Sequence, residues 1–229
     1  MKKFIVIGLG NFGYNIAKTL MANDCEVLGM DIDRELVQRA KDDLSHAIIG
    51  DATNKEVLES LAIRDFDGGI ISLGQDMAAS ILIALYLREI GLPRVVVRAV
   101  SEDHGKILRM IGVSDVVFPE RDMAVRVGNM LALRNAVDYL PIGEEYSIIE
   151  VPAPKGFVGK SLKQLQVRAR FGCQVIGLKT LRPGANPAEL SEKSYEVRIA
   201  PAAEDVIAPD SALIVIGRHD DIEKIQAQD

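Results

Sequence analysis

The chain has 229 residues, 48% of them apolar and 26% charged, with a formal net charge of −6. That is enough for one large or two small globular domains, and the acidic balance argues against a nucleic-acid partner, which rewards a basic face. Cys25 and Cys173 are the only cysteines, so a disulfide framework and a multi-cysteine zinc site are both excluded, as suits a reducing cytosol. The sequence goes almost directly into a strand, leaving no room for a signal peptide, and no apolar run approaches the roughly 18 residues that cross a bilayer.

Phe4 to Ile7 are four apolar residues in a row and predict a strand buried on both faces. Gly8, Gly10 and Gly13 follow as G-x-G-x-x-G. The first glycine permits a tight turn, the second lets a diphosphate approach the backbone, and the third lets the next helix pack on the strand. That helix spans Asn11 to Met21, and its N-terminal N–H groups suit phosphate. A second strand, Glu26 to Met30, ends at Asp31, 18 residues beyond Gly13. This is near the spacing at which an acid meets ribose hydroxyls.

A helix capped by Asp33 runs to Ala40, a third strand covers 47–50, and Thr53 or Asn54 caps a helix through Leu61. A fourth strand, Gly69 to Leu73, reaches the Gly74-Gln75-Asp76 turn. Asp76 caps an apolar helix to Ile90, which Gly91 and Pro93 end. Val95 to Val100 form a fifth strand, His104 to Met110 a helix stopped by Gly112, and Val116 to Phe118 a sixth strand. Strands alternating with helices in this way predict an α/β domain over 1–118, with a doubly wound, Rossmann-like parallel sheet. Its ligand sits at the carboxyl ends of the strands.

Beyond Pro119, Met123, Val127, Met130 and Leu131 share one helical face. A crossing to a partner or second lobe would explain that face, and so would packing on the first domain. Residues 119–144 read as crossover and hinge helices. Residues 145–229 read as a small α+β domain with strands at 146–151, 174–179, 195–199 and 212–216. Helices start there at Ser161 and Asp220, and residues 183–187 form a breaker-rich loop.

Catalytic chemistry is sparse. His46 and His104 stand alone, and His219 beside Asp220 and Asp221 reads as a solvated loop. Cys173 reads as packing. No H-E-x-x-H, G-x-S-x-G or Walker pattern occurs. A nicotinamide-dependent oxidoreductase needs a proton donor near the cleft, and the sequence offers no convincing candidate. Binding itself is then the output, as in a non-enzymatic sensor.

The chain resembles the cytosolic regulatory subunits of Trk/Ktr-type potassium-uptake systems, which are built from RCK domains. The resemblance rests on residues 6–13, Asp31-Ile32-Asp33, Gly50-Asp51-Ala52-Thr53, Ile111 to Asp115 and, most specifically, Pro119-Glu120-Arg121-Asp122-Met123-Ala124. The fit over 207–217 is weaker. The resemblance implies an RCK N-lobe, a crossover helix and a C-terminal RCK subdomain. It also implies dimers through crossing helices and an octameric ring beneath a membrane potassium channel or transporter. The protein would then be cytoplasmic and peripheral to the inner face of the cell membrane. ATP, ADP or NAD(H) would bind each N-lobe and gate the pore. A free-standing nucleotide sensor would share these bulk features.

Carried over by resemblance, Gly8, Gly10, Asn11, Phe12 and Gly13 hold phosphates, and Asp31 holds the ribose with Ile32 beside it. Asp51, Ala52, Leu73, Gly74, Gln75 and Arg98 line the adenine and phosphate pocket. Glu120 matches a position that binds a divalent cation or sodium between paired lobes. Many Ktr-type members have arginine where this chain has Asn11, which implies weaker ATP/ADP discrimination here. The second domain resembles modules that bind a cyclic dinucleotide such as cyclic di-AMP, which would place Arg168, Arg170 and Gln174 at that ligand.

Overall fold

Up to Pro119, short apolar strands alternate with capped helices, and such a pattern buries itself best as a sheet covered on both faces. The computed structural model describes residues 1–74, 76–132, 138–143, 145–182 and 194–228. The chain divides into two compact units, Met1–Pro119 and Glu120–Asp229.

In the first unit the strands are β1 (Lys3–Ile7), β2 (Glu26–Asp31), β3 (His46–Ile49), β4 (Gly68–Ile71), β5 (Val95–Arg98) and β6 (Asp115–Val117). The helices are α1 (Asn11–Ala22), α2 (Arg34–Ala40), α3 (Lys55–Ser60), α4 (Met77–Ile90) and α5 (Glu102–Ile111). Every strand pair is parallel, in the order β3-β2-β1-β4-β5-β6. This is the Rossmann-like doubly wound sheet expected from the sequence. Strand order reverses between β1 and β4, and that switch opens a crevice at their carboxyl ends.

Local chemistry sets the helix ends. Asp33 accepts from Glu35 N–H, Asn54 from Glu56 N–H and Asp76 from Ala79 N–H. Gly91 and Gly112 close α4 and α5 in the left-handed conformation. Ser101 caps α5 by accepting from His104 N–H, so this helix starts ahead of the expected His104.

Two cores flank the sheet. Ile5, Ile7, Leu28, Met30 and Ile71 pack with Leu58 of α3, Ile83 and Leu87 of α4 and Leu108 of α5. On the other face Val6, Val27 and Ile70 pack with Ala17 of α1 and Val37 and Ala40 of α2. Alternation along β1 sends Ile5 and Ile7 to one core and Val6 to the other. Each such side chain contributes about 1.5–3 kcal/mol.

Helix α6 (Pro119–Ala132) begins at the unit boundary, and the second unit holds strands β7 (Asp138–Ile142), β8 (Tyr146–Pro152), β9 (Gln174–Leu181), β10 (Tyr195–Ile199) and β11 (Ala212–Arg218). Helices α7 (Leu162–Leu165), α8 (Val167–Phe171) and α9 (His219–Gln226) complete it. The sheet is antiparallel, in the order β10-β9-β11-β8-β7. Its core joins Ile149, Val151, Leu213 and Val215 to Leu165, Phe171, Ile222 and Ile225.

Two expectations change here. Residues 138–142 form a strand, where the sequence predicts hinge helix. Tyr139 is buried and Leu140 exposed, which is strand periodicity, and Pro141 is tolerated because β7 lies at the sheet edge. His219 opens α9 and does not lie in a loop. The expected loop at 183–187 lies outside the described residues. On α6 the predicted apolar face divides. Met130 packs against the second unit's core, while Met123, Val127 and Leu131 remain 53%, 40% and 76% exposed.

Candidate functional site

A cavity of about 500 Å³ opens at the carboxyl ends of the parallel strands. Each strand from β1 to β5 delivers a residue to it: Gly8 after β1, Asp31 of β2, Asp51 after β3, Ser72 and Leu73 after β4, and Arg98 of β5. Of the residues expected at a ligand, Gly8, Gly10, Asp31, Ile32, Asp51, Ala52, Leu73, Gly74 and Arg98 all line it.

Three of the remainder lie beside the cavity, outside its lining. Asn11 is exposed at the first position of α1. The Phe12 ring lies 6.0 Å from the Arg98 guanidinium, a cation–π distance that steadies both side chains. Gly13 is buried, and a Cβ there would come within 1.9 Å of the Gly8 carbonyl oxygen. Its absent side chain is what lets α1 sit on the Gly8 turn. Gln75 lies outside the described residues.

The turn is held by charge and backbone together. Gly8 takes a positive φ of 91° and donates its N–H to the Met30 carbonyl at 2.9 Å. Asp31 accepts Leu9 N–H through Oδ2 at 2.6 Å and Asp33 N–H through Oδ1 at 2.9 Å. A Cβ on Gly10 would meet nothing within 4 Å, so the backbone there faces open space. Gly10 is also the N-cap of the 12-residue α1 and offers no side chain to its first turn.

Asp51 accepts both the side-chain O–H of Thr53 at 2.6 Å and its backbone N–H at 2.9 Å. These bonds, the hydroxyl's first, hold its carboxyl below the usual carboxylate range. Ser72 is a lining residue the sequence reading missed. Its Oγ is buried with no hydrogen-bond partner among the described residues, a costly state that a ligand hydroxyl or phosphate would relieve. Its position directly after a strand at the switch point is the signal that could have found it. Asp76, Ala79 and Ile83 bring α4 to the wall, and Leu36 brings α2. Gly10 gives a ligand close backbone access, Ser72 offers an unmet hydroxyl and Asp31 a carboxylate. This set fits a nucleotide.

Behind α4, His104 is 1% exposed. Val100 N–H donates to its Nδ1 at 3.3 Å, so Nε2 carries the proton and donates to Ser80 Oγ at 2.8 Å. Burial lowers its pKa from 6.5. His104 is thus a neutral tie between α4, α5 and the end of β5.

In the second unit a cavity of about 490 Å³ is lined by Lys163, Gln166, Arg168, Cys173 and Gln174 among others. Arg168 and Gln174 meet there, but Arg170 is not in its lining. Its guanidinium donates to the Leu165 carbonyl at 3.3 Å and lies over the Phe171 ring. Cys173 is buried, and burial pushes its thiol up to about 11, as suits a packing residue. Glu120 is exposed in the first turn of α6. Among the described residues no group of three or more His, Cys, Asp or Glu stands ready to hold a metal ion. No helix among them is long and apolar enough to cross a membrane.

Fold and cavity together define a Rossmann-type ligand-binding module joined to a small antiparallel module. Residues 4–119 match the TrkA-N domain and residues 146–228 the TrkA-C domain, and the chain belongs to this TrkA family. It is 38% identical over 225 residues to Ktr system potassium uptake protein C of Bacillus subtilis, covering 98% of this chain and 96% of that one. Among solved structures, the GsuK channel bound to NAD superposes with a TM-score of 0.56 at 22% identity, over 100% of this chain and 38% of that one. GsuK bound to ADP gives 0.50 at 26% identity, over 57% and 34%. The present chain thus spans well under half the length of either channel chain.

Proposed function

We propose that this chain is the nucleotide-sensing regulatory subunit of a membrane potassium-uptake system and performs no catalysis itself. The observation that carries the reading is the cavity at the β1/β4 switch point, with the Gly8–Gly10 turn, Asp31 and the unmet Ser72 hydroxyl converging on it. Membership of the TrkA family and the 38% identity to a Ktr potassium uptake protein supply the transport context.

The ligand is an adenosine nucleotide, ATP, ADP or NAD(H). The ADP-bound GsuK structure, 26% identical, supports this class. Asp31 takes the ribose, with Ile32 at its side. Gly10 and the N-terminus of α1 face the phosphates, with Asn11 and Arg98 flanking them. Binding favours one arrangement of paired lobes over another, and a pore coupled to the ring reads the difference.

Copies of the chain pair through the exposed Met123, Val127 and Leu131 face of α6 and assemble to an octameric ring on the cytoplasmic side of the membrane subunit. Glu120 contributes to a divalent cation or sodium site completed by the second copy. The Arg168 and Gln174 cavity takes a cyclic dinucleotide such as cyclic di-AMP.

The test is co-purification with the membrane subunit, followed by potassium flux with ATP, ADP and NADH. Flux should change with at least one nucleotide. Flux indifferent to all three, or catalytic oxidation of a metabolite by the purified chain, overturns the reading.

A further inference from the structure

Leu9 in the glycine turn is held through the two peptide groups that flank it. Its N–H is accepted by Asp31 at 2.6 Å, and its carbonyl accepts from the Arg39 guanidinium of α2 at 2.8 Å. Arg39 is itself aimed. Its guanidinium carbon lies 4.5 Å from the centre of the Tyr14 ring on α1. The Tyr14 hydroxyl donates to Asp43, which also pairs with Lys18 at 3.3 Å. Tyr14 is thereby fixed as a platform, and the planar guanidinium on it keeps its fork directed at the carbonyl.

We infer that Arg39 is a positioning residue for the phosphates of the ligand, acting through the Leu9–Gly10 peptide. The inference rests on the nucleotide reading above. A trans peptide is planar, and its C=O and N–H point in opposite directions. A carbonyl drawn toward Arg39 therefore turns Gly10 N–H the other way, to the side of the cavity that Gly10 lines. Gly8 N–H is committed to Met30 and Leu9 N–H to Asp31. Gly10 N–H is the donor of the turn that Arg39 orients. Glycine at 10 lacks the steric preference that would otherwise hold this peptide plane, so a side chain from another element holds it. A charge-assisted bond suits that task, since it is stronger than a neutral one.

Arg39 is not among the residues that line the cavity, yet it should govern diphosphate binding while leaving nucleoside binding alone. The experiment is calorimetry of the full chain with ADP and, separately, adenosine, for wild type, Arg39→Met and Arg39→Lys. The expected result is about a tenfold loss of ADP affinity in Arg39→Met, the worth of one well-made hydrogen bond. Adenosine affinity should be unchanged, and Arg39→Lys, which retains a charged donor, should recover part of the loss. Hydrogen exchange of the 7–14 segment should rise in Arg39→Met, with the thermal midpoint showing that the variant is folded. If Arg39→Met does not fold, Arg39→Gln takes its place. ADP affinity unchanged, or ADP and adenosine weakened equally, overturns the inference. A wild-type chain that binds neither ligand overturns the nucleotide reading beneath it, which is a separate and distinguishable failure.

Discussion

Asp31 and Leu9 are joined by a 2.6 Å hydrogen bond from the Leu9 N–H to Asp31 Oδ2, across 22 residues of sequence. The acid that reads as a ribose contact is therefore also a strut of the glycine turn. Leu9 is fully buried, so removing the acceptor leaves its N–H without a partner at a cost of about 1–3 kcal/mol. Asp31→Ala should lower the unfolding free energy by that amount and weaken nucleotide binding at least tenfold. Asp31→Asn retains one acceptor oxygen and should be milder in stability. Chemical denaturation and calorimetry on the two variants separate the roles: wild-type stability in Asp31→Ala would refute the strut, and wild-type affinity would refute the ligand contact.

The glycines of the turn should fail in different ways. A Cβ at Gly13 collides with the Gly8 carbonyl at 1.9 Å, whereas one at Gly10 meets nothing within 4 Å. Gly13→Ala should be strongly destabilised, because backbone cannot give way cheaply. Gly10→Ala should melt near the wild type yet lose nucleotide affinity, since its methyl would stand in the proposed phosphate approach. A thermal melt beside a binding isotherm for each variant reads the difference.

Asn11 begins α1 without a charge beside the expected phosphates. Adding one in Asn11→Arg should raise the ATP/ADP affinity ratio, because the terminal phosphate carries the extra negative charge. Calorimetry in low and moderate salt provides the check. An unchanged ratio would mean that the terminal phosphate lies elsewhere.

His104 has its pKa lowered from 6.5 by burial, so the folded state prefers it neutral. The unfolded chain then binds more protons between the two values, and stability rises with pH there. The contribution is fully present above about pH 6.5 and is lost as pH falls toward the folded value. One proton limits the slope to about 1.4 kcal/mol per pH unit. Denaturation midpoints followed from pH 7.5 to 5 should fall on that limb, and His104→Gln should flatten it.

Cys173, with its thiol raised to about 11, should resist a thiol reagent at pH 8 in the folded chain. Cys25 is only half-buried and should label first. Mass spectrometry of the labelled peptides gives the order, and early labelling of Cys173 would contradict its placement in the core.

Much of the first unit is legible in the sequence because its signals act over a few residues. Asp33, Asn54 and Asp76 each accept from an N–H two or three residues ahead, and Gly91 and Gly112 end helices by their own φ. The second unit is harder to read. Strand β7 is short, contains Pro141 and is held by its antiparallel partner β8, so local pattern alone gives little warning of it.

The sequence by itself determined the element order of the first unit, the glycine turn with Asp31 beyond it, and the two-part organisation of an acidic chain with little catalytic chemistry. Each follows from spacing, capping and composition. Only the tertiary structure decided that Ser72 shares the cavity with Gly8 and Asp31 and presents an unmet hydroxyl there, and that Arg39 grips Leu9 from α2. Those meetings depend on strand order and on which face each helix covers. Long-range packing fixes both, and no window of a few residues contains them.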